Sequence, residues 1–74
     1  MNSERKLRRA RRTELLRAQT HLGEIREALD QAYSSFNDIA DPELTDACIY
    51  EINALRSRYD HILRQIKSIQ SIQT

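Results

Sequence analysis

Apolar residues recur along this chain at alternating steps of three and four. With Leu15 as heptad position a, that position holds Leu15, Leu22, Leu29 and Phe36, and position d holds Ala18, Ile25, Ala32 and Ile39. A second stripe follows. Its a positions are Thr45, Ile52, Tyr59 and Ile66, and its d positions are Cys48, Leu55, Ile62 and Ile69. Steps of this kind put one side chain per turn on the same face of an α-helix, so each stripe predicts an amphipathic helix. The two are separated by Phe36-Asn-Asp-Ile-Ala-Asp-Pro-Glu-Leu44. Asp41 suits an N-cap, and Pro42 suits the first helical position, where its missing N–H is not needed. Glu43 then lies near the positive end of the helix dipole. Asn37 is the expected left-handed stop of the first helix. The pattern places helix 1 at about 4–37, a turn at about 38–41 and helix 2 at about 42–71.

A connection this short makes the helices antiparallel neighbours. One register satisfies both stripes. Leu29 faces Ile52, Leu22 faces Tyr59 and Leu15 faces Ile66 at a; Ala32 faces Cys48, Ile25 faces Leu55 and Ala18 faces Ile62 at d. At the open end Leu7 is expected to meet Ile72. The fold class is therefore all-α, an antiparallel two-helix coiled-coil hairpin, within 74 residues that allow one small domain. One Gly and one Pro leave little material for a sheet.

Two helices make a thin core, marginal as an isolated rod. Apolar residues also lie outside the seam. Tyr33, Ile49 and Leu63 fall on the e flank, and Leu16 lies further out. This second strip predicts an interface, with hairpins pairing into a four-helix bundle as a homodimer or other homo-oligomer.

Charge changes the picture. The net charge is only +1, but it is polarised. Residues 24–51 carry eight acids and one base, Arg26; the rest of the chain carries eleven bases and three acids. Folding the hairpin makes the turn end acidic and the open end basic. Arg5, Lys6, Arg8, Arg9, Arg11 and Arg12 crowd the start of helix 1, where the stripe positions ahead of Leu15 are held by Arg11 and Arg8. Cations are unfavourable at that end of a helix dipole, by some tenths of a kcal/mol each, and like charges one turn apart add to the penalty. These residues do not help the hairpin fold. With Arg17, Arg64 and Lys67 they form the candidate polyanion-binding set, directed at nucleic acid phosphates. The alternative partner is an acidic protein surface, with the chain acting as an adaptor or regulator.

Other chemistry is sparse. A single Cys excludes an internal disulfide and a Cys-based zinc site, and Cys48 falls in the seam. His21 and His61 are not expected to face each other in this register, so no metal site is expected, nor any cofactor. Arg26 and Arg56 are expected to pair locally with Asp30 and Asp60 at i+4. There is no Gly-rich phosphate loop and no catalytic triad. A coiled hairpin is expected to lack a concave pocket, so an enzyme with a small-molecule substrate is not expected. Gly23, on the outer face of helix 1, costs up to about 1 kcal/mol against Ala. The basic N-terminal stretch is not followed by the apolar core of a signal peptide, and no stretch approaches the roughly 20 apolar residues of a membrane span. A cytoplasmic location is the expectation.

Tyr33 and Phe36, then Asp41-Pro42-Glu43-Leu44, Ile49-Tyr50-Glu51 and Arg58-Tyr59 resemble the small YaaL-like proteins of Gram-positive bacteria, a group classed as a domain of unknown function. The resemblance spans residues 29–67, leaves the basic segment outside, and implies a short cytoplasmic helical protein. It brings no binding residues or activity with it.

Overall fold

A helix of 37 residues rises about 56 Å at 1.5 Å per residue, and that length sets the shape of the molecule. The structure, a computed structural model, describes residues 2–73, with side chains described as far as Ser71. Helix α1 runs Asn2–Asp38 and helix α2 runs Pro42–Gln73. They lie side by side as an antiparallel hairpin measuring 61 × 14 × 14 Å. Its radius of gyration, 17.3 Å, compares with about 11 Å for a compact domain of this length. Its accessible surface, 6161 Å², compares with about 4,700 Å² for a compact monomer of this mass. The chain is a rod whose core is one seam.

Both helices run slightly past their predicted ends. The turn is built by Asp41 as expected. Its Oδ1 accepts a hydrogen bond from the Glu43 N–H at 2.9 Å, and its carbonyl accepts from the Thr45 N–H at 2.9 Å and the Thr45 hydroxyl at 3.0 Å. The Oδ1 bond satisfies one orphan donor at the start of α2, and the carbonyl accepts the first bond of the helix ladder. The end of α1 differs from expectation. No residue described has a positive φ, so Asn37 is not a left-handed stop and stays helical. The Ile39 N–H instead donates to the Phe36 carbonyl at 3.4 Å, a three-residue step that tightens the last turn.

The seam follows the heptads. Ile25 and Ala32 of α1 are buried against Ile52, Ile62, Ile66 and Ile69 of α2. Around Ile25, Ile62 and Ile66 pack the half-buried Leu15, Ala18, Leu22, Leu29, Leu55 and Tyr59. Phe36 departs from its expected place: at the turn end it faces the short Thr45 and is left 36% exposed. Beyond Leu15 the stripe passes to arginine. Arg11 is half-buried and Arg8 is exposed. Leu7 is exposed, and its expected partner, the side chain of Ile72, lies outside the described residues. Among the described residues, no helix is long and apolar enough to cross a membrane.

Candidate polyanion-binding surface

Three concavities follow one another along the basic half, winding around α1 from its e flank across its outer face to its g flank, and they share residues. Arg5, Arg8, Arg9 and Arg12, one turn apart on α1, surround the first, of about 310 Å³. Arg9 also lines the second, of about 450 Å³, with Lys6, Ala10, Thr13, Glu14 and Arg17. Glu14 and Arg17 then line the third and largest, of about 570 Å³. The track extends from Arg5 to His21, about 24 Å along the axis at 1.5 Å per residue.

The largest concavity lies between the helices on their g flank. Its floor is Ala18, Ile62 and Ile69, and its walls include His21, Arg58, His61 and Gln65. Ala18 and Ser57 are the short side chains among its lining. This corrects two expectations. The hairpin does offer a concave surface, open to solvent along its length. The two histidines also line one groove, because the g flank brings His21 opposite Arg58 and His61 stands one turn further along α2. The register contains the His21–Arg58 and Glu14–Gln65 pairs, and these are the signal that places Arg58 in the groove.

The predicted cations are not all brought together. Arg5, Lys6, Arg8, Arg9, Arg12 and Arg17 are exposed along the track. Arg11 is half-buried at the seam, and Arg64 and Lys67 are exposed on α2 without lining these concavities. The Thr13 hydroxyl donates to the Arg9 carbonyl at 3.0 Å, inside the helix and away from any ligand role.

On the other flank, Arg26 does not pair with Asp30 as expected. Its Nη2 donates to the Tyr59 hydroxyl at 3.0 Å, and its Cζ lies 5.8 Å from the centroid of the Tyr59 ring. That hydrogen bond and the charge interaction with Tyr59 hold the guanidinium above its ordinary pKa; Asp30 adds less, and desolvation opposes both. Arg26 is thus committed to covering the seam rather than to clamping an anion with Arg56.

Of the predicted protein-interface residues, Leu16, Tyr33 and Ile49 are exposed, at 57%, 44% and 42%. Leu63 is half-buried and belongs to the widened seam. Nothing within 4 Å would meet a Cβ on Gly23, so no neighbour within the chain explains that glycine. Cys48 is a half-buried free thiol. Among the described residues, no group of three or more His, Cys, Asp or Glu is placed to hold a metal ion.

No curated protein and no solved structure matches the chain. A family model does, and it corrects the expected extent of resemblance: it covers residues 1–71, so the basic start of α1 lies within the family's span and not outside it. With nearly the whole hairpin matched, the chain belongs to the family described as protein of unknown function (DUF2508).

Proposed function

We propose that the chain is a small, non-enzymatic, cytoplasmic binding module of the YaaL-like kind, whose basic half contacts nucleic acid phosphates. The observation that carries this reading is the continuous cationic track from Arg5 to Arg58, in which neighbouring concavities share Arg9 and then Arg17. A solvated tail of charge would not need to be helical, yet here the helix carries its arginines in register from its first turns. Among the described residues the track contains no Phe, Tyr or Trp side chain, so base stacking on such rings is not part of the reading. Nor does the rod present a set of Asn, Gln and Arg suited to base edges, so the binding is phosphate-led and weakly selective for sequence.

Each neutralised phosphate releases counterions, so with roughly four to six contacts affinity for duplex DNA falls about two to three orders of magnitude between 50 and 200 mM salt. Fluorescence anisotropy at both salts, on duplex DNA and on RNA, measures this. Replacing Arg5, Arg8, Arg9 and Arg12 by Gln removes most of the binding and leaves the circular dichroism spectrum unchanged, since all four are exposed and Arg11 keeps its place at the seam. No binding at the lower salt refutes the reading and favours an acidic protein as the partner.

A second reading concerns self-association, and a separate observation favours it. Among the described residues, five of the seven large apolar side chains left exposed lie between Tyr33 and Tyr50, on the acidic half. Tyr33 and Ile49 stand together on the flank opposite the groove. A homodimer that covers them would add the core that one seam lacks, and would leave both cationic tracks free.

A further inference from the structure

Of the large apolar side chains left exposed, Tyr33 and Ile49 stand on the e flank, Phe36 ends the seam, and Leu7 and Leu16 lie among the arginines. Leu44 and Tyr50 remain, 56% and 77% exposed. With Ile52 at a, Leu44 falls at g, Ala47 and Ala54 at c, and Tyr50 at f. Those positions adjoin on the g flank and outer face of α2. Leu44, Ala47, Tyr50 and Ala54 follow one another at steps of three, three and four, and all are exposed, where a solvated helix is expected to be polar. Single apolar residues on a surface are ordinary. Three turns of them in line are a second stripe. Its relief suits a helix, because an alanine one turn to either side of Tyr50 leaves room for a backbone to approach. The tyrosine itself offers a large contact area at small entropy cost.

The charge around the stripe selects what can cover it. Between Arg26 and Arg56 the chain carries seven acids and no Lys, Arg or His. Two of those acids edge the stripe: Glu43 lies two turns before Tyr50 on the same line, Glu51 lies two turns after Leu44, and both are exposed. A covering surface must be apolar and cationic together. A second copy of this chain does not supply one. Among the described residues its basic half exposes Leu7 and Leu16, and at about 100° per residue their spacing puts them on opposite sides of α1. We propose that the outer face of α2 between Glu43 and Ala54 is a docking site for an amphipathic helix of another protein, one whose apolar stripe is edged by Lys or Arg. The site is about 17 Å long at 1.5 Å per residue, a contact of three turns that suits a weak, reversible partner. It does not rest on the phosphate reading. Ala54 stops one turn short of Arg58, and Ile49 lies on the other side of α2 from Ala47. A helix seated here therefore leaves both the cationic track and the strip at Tyr33 and Ile49 uncovered.

The probe is a synthetic peptide of about 18 residues, long enough to hold a helix, with a leucine stripe edged by lysine. Its binding to the full-length chain is followed by fluorescence anisotropy. Saturable binding with a Kd of about 10–100 μM is expected for so small an interface. Tyr50→Ala is expected to weaken it about tenfold or more, as loss of a central anchor does, and Leu44→Ala to weaken it less. Both side chains are exposed, so the circular dichroism spectrum stays unchanged. Glu43→Gln with Glu51→Gln is expected to weaken binding more at about 50 mM salt than at about 200 mM, where screening has already removed part of the attraction. Ser34→Ala, on the outer face of α1 in the same half, leaves the affinity as it is. A peptide of the same composition with its leucines scattered, and one with glutamate in place of lysine, are expected not to bind. Equal binding by either, or full binding by the Tyr50→Ala chain, overturns the site, and so does the absence of saturable binding at about 1 mM. Sedimentation without peptide tests the second copy as occupant. A mass that Tyr50→Ala leaves unchanged supports the assignment; self-association that the substitution abolishes gives the face to a second copy and overturns it. None of these outcomes depends on whether the chain binds nucleic acid, so the two readings fail separately.

Discussion

Replacing Ile25 by Ala removes three carbons from the middle of the seam between α1 and α2. Ile25 is 5% exposed and packs with Ile62 and Ile66 at the centre of the buried cluster. At about 0.8 kcal/mol for each buried methylene-sized group, the lost transfer energy is roughly 2.4 kcal/mol. A cavity term adds to this in a close-packed interior and raises such substitutions to about 2–5 kcal/mol. In a structure 14 Å across, solvent and flexible side chains stand one layer away and the helices can close on the gap. The lower part of that range, about 2.5–3 kcal/mol, is therefore expected. Leu16 provides the contrast. It is 57% exposed, and Leu16→Ala should cost under about 0.5 kcal/mol, because Ala is the better helix former and little burial is lost. Urea unfolding followed by circular dichroism gives both values. Equal losses at the two positions would refute the heptad phase, or show Leu16 covered by a second molecule. Repeating the measurement at tenfold lower protein concentration separates those causes, since only the second depends on concentration.

Gly23→Ala should raise stability by up to about 1 kcal/mol in the same assay, since a Cβ there meets open space; a loss instead would reveal a partner pressed against that face. Asp41→Ala should cost about 1 kcal/mol through the lost cap to Glu43, and Asp41→Asn should restore most of it. If the strip at Tyr33 and Ile49 pairs two hairpins, melting temperature should rise with protein concentration, and Tyr33→Glu with Ile49→Glu should abolish that dependence. A concentration-independent melt with a monomer mass in sedimentation would sink the four-helix bundle.

Much of the fold was legible because a heptad is a repeated statement. Eight stripe positions on each helix agree on one register, and the Asp41-Pro42-Glu43 turn allows one way to join them. The exceptions have local causes. Phe36 is exposed because Thr45, its register partner, is too short to cover it. Asn37 stays helical because the chain closes the last turn with a carbonyl three residues back, which no residue preference announces. Arg26 chose Tyr59 over Asp30 because a half-buried tyrosine in the seam offers both a hydroxyl and a ring face, a tertiary opportunity invisible to an i+4 rule. The site was less legible. The arginine run was plain, but the groove lies between the two helices and takes its lining from both. Spacing along one helix does not show a recess between two.

The arginines at the stripe's end need both parts of their side chain to be understood. Ile69 is buried although it lies opposite Arg11 and beyond the last leucine of α1. At this register Arg11 is the α1 stripe residue opposite it, and Arg11 is itself half-buried. An arginine can do this because its aliphatic stem packs against apolar surface while the guanidinium reaches water. A lysine stem would cover as much but end in a more strongly hydrated point charge, and an aspartate would cover nothing. The seam is thus continued by the stem of Arg11 where the stripe has passed from leucine, and its charge arrives at the surface in helical register as a consequence. The cost is repulsion and an unfavourable place on the helix dipole. Salt screens that repulsion and also releases phosphates from the same charges. Stability should therefore rise with salt, whereas the proposed phosphate binding should fall over the same range, and thermal melts beside anisotropy titrations at matched salt measure both.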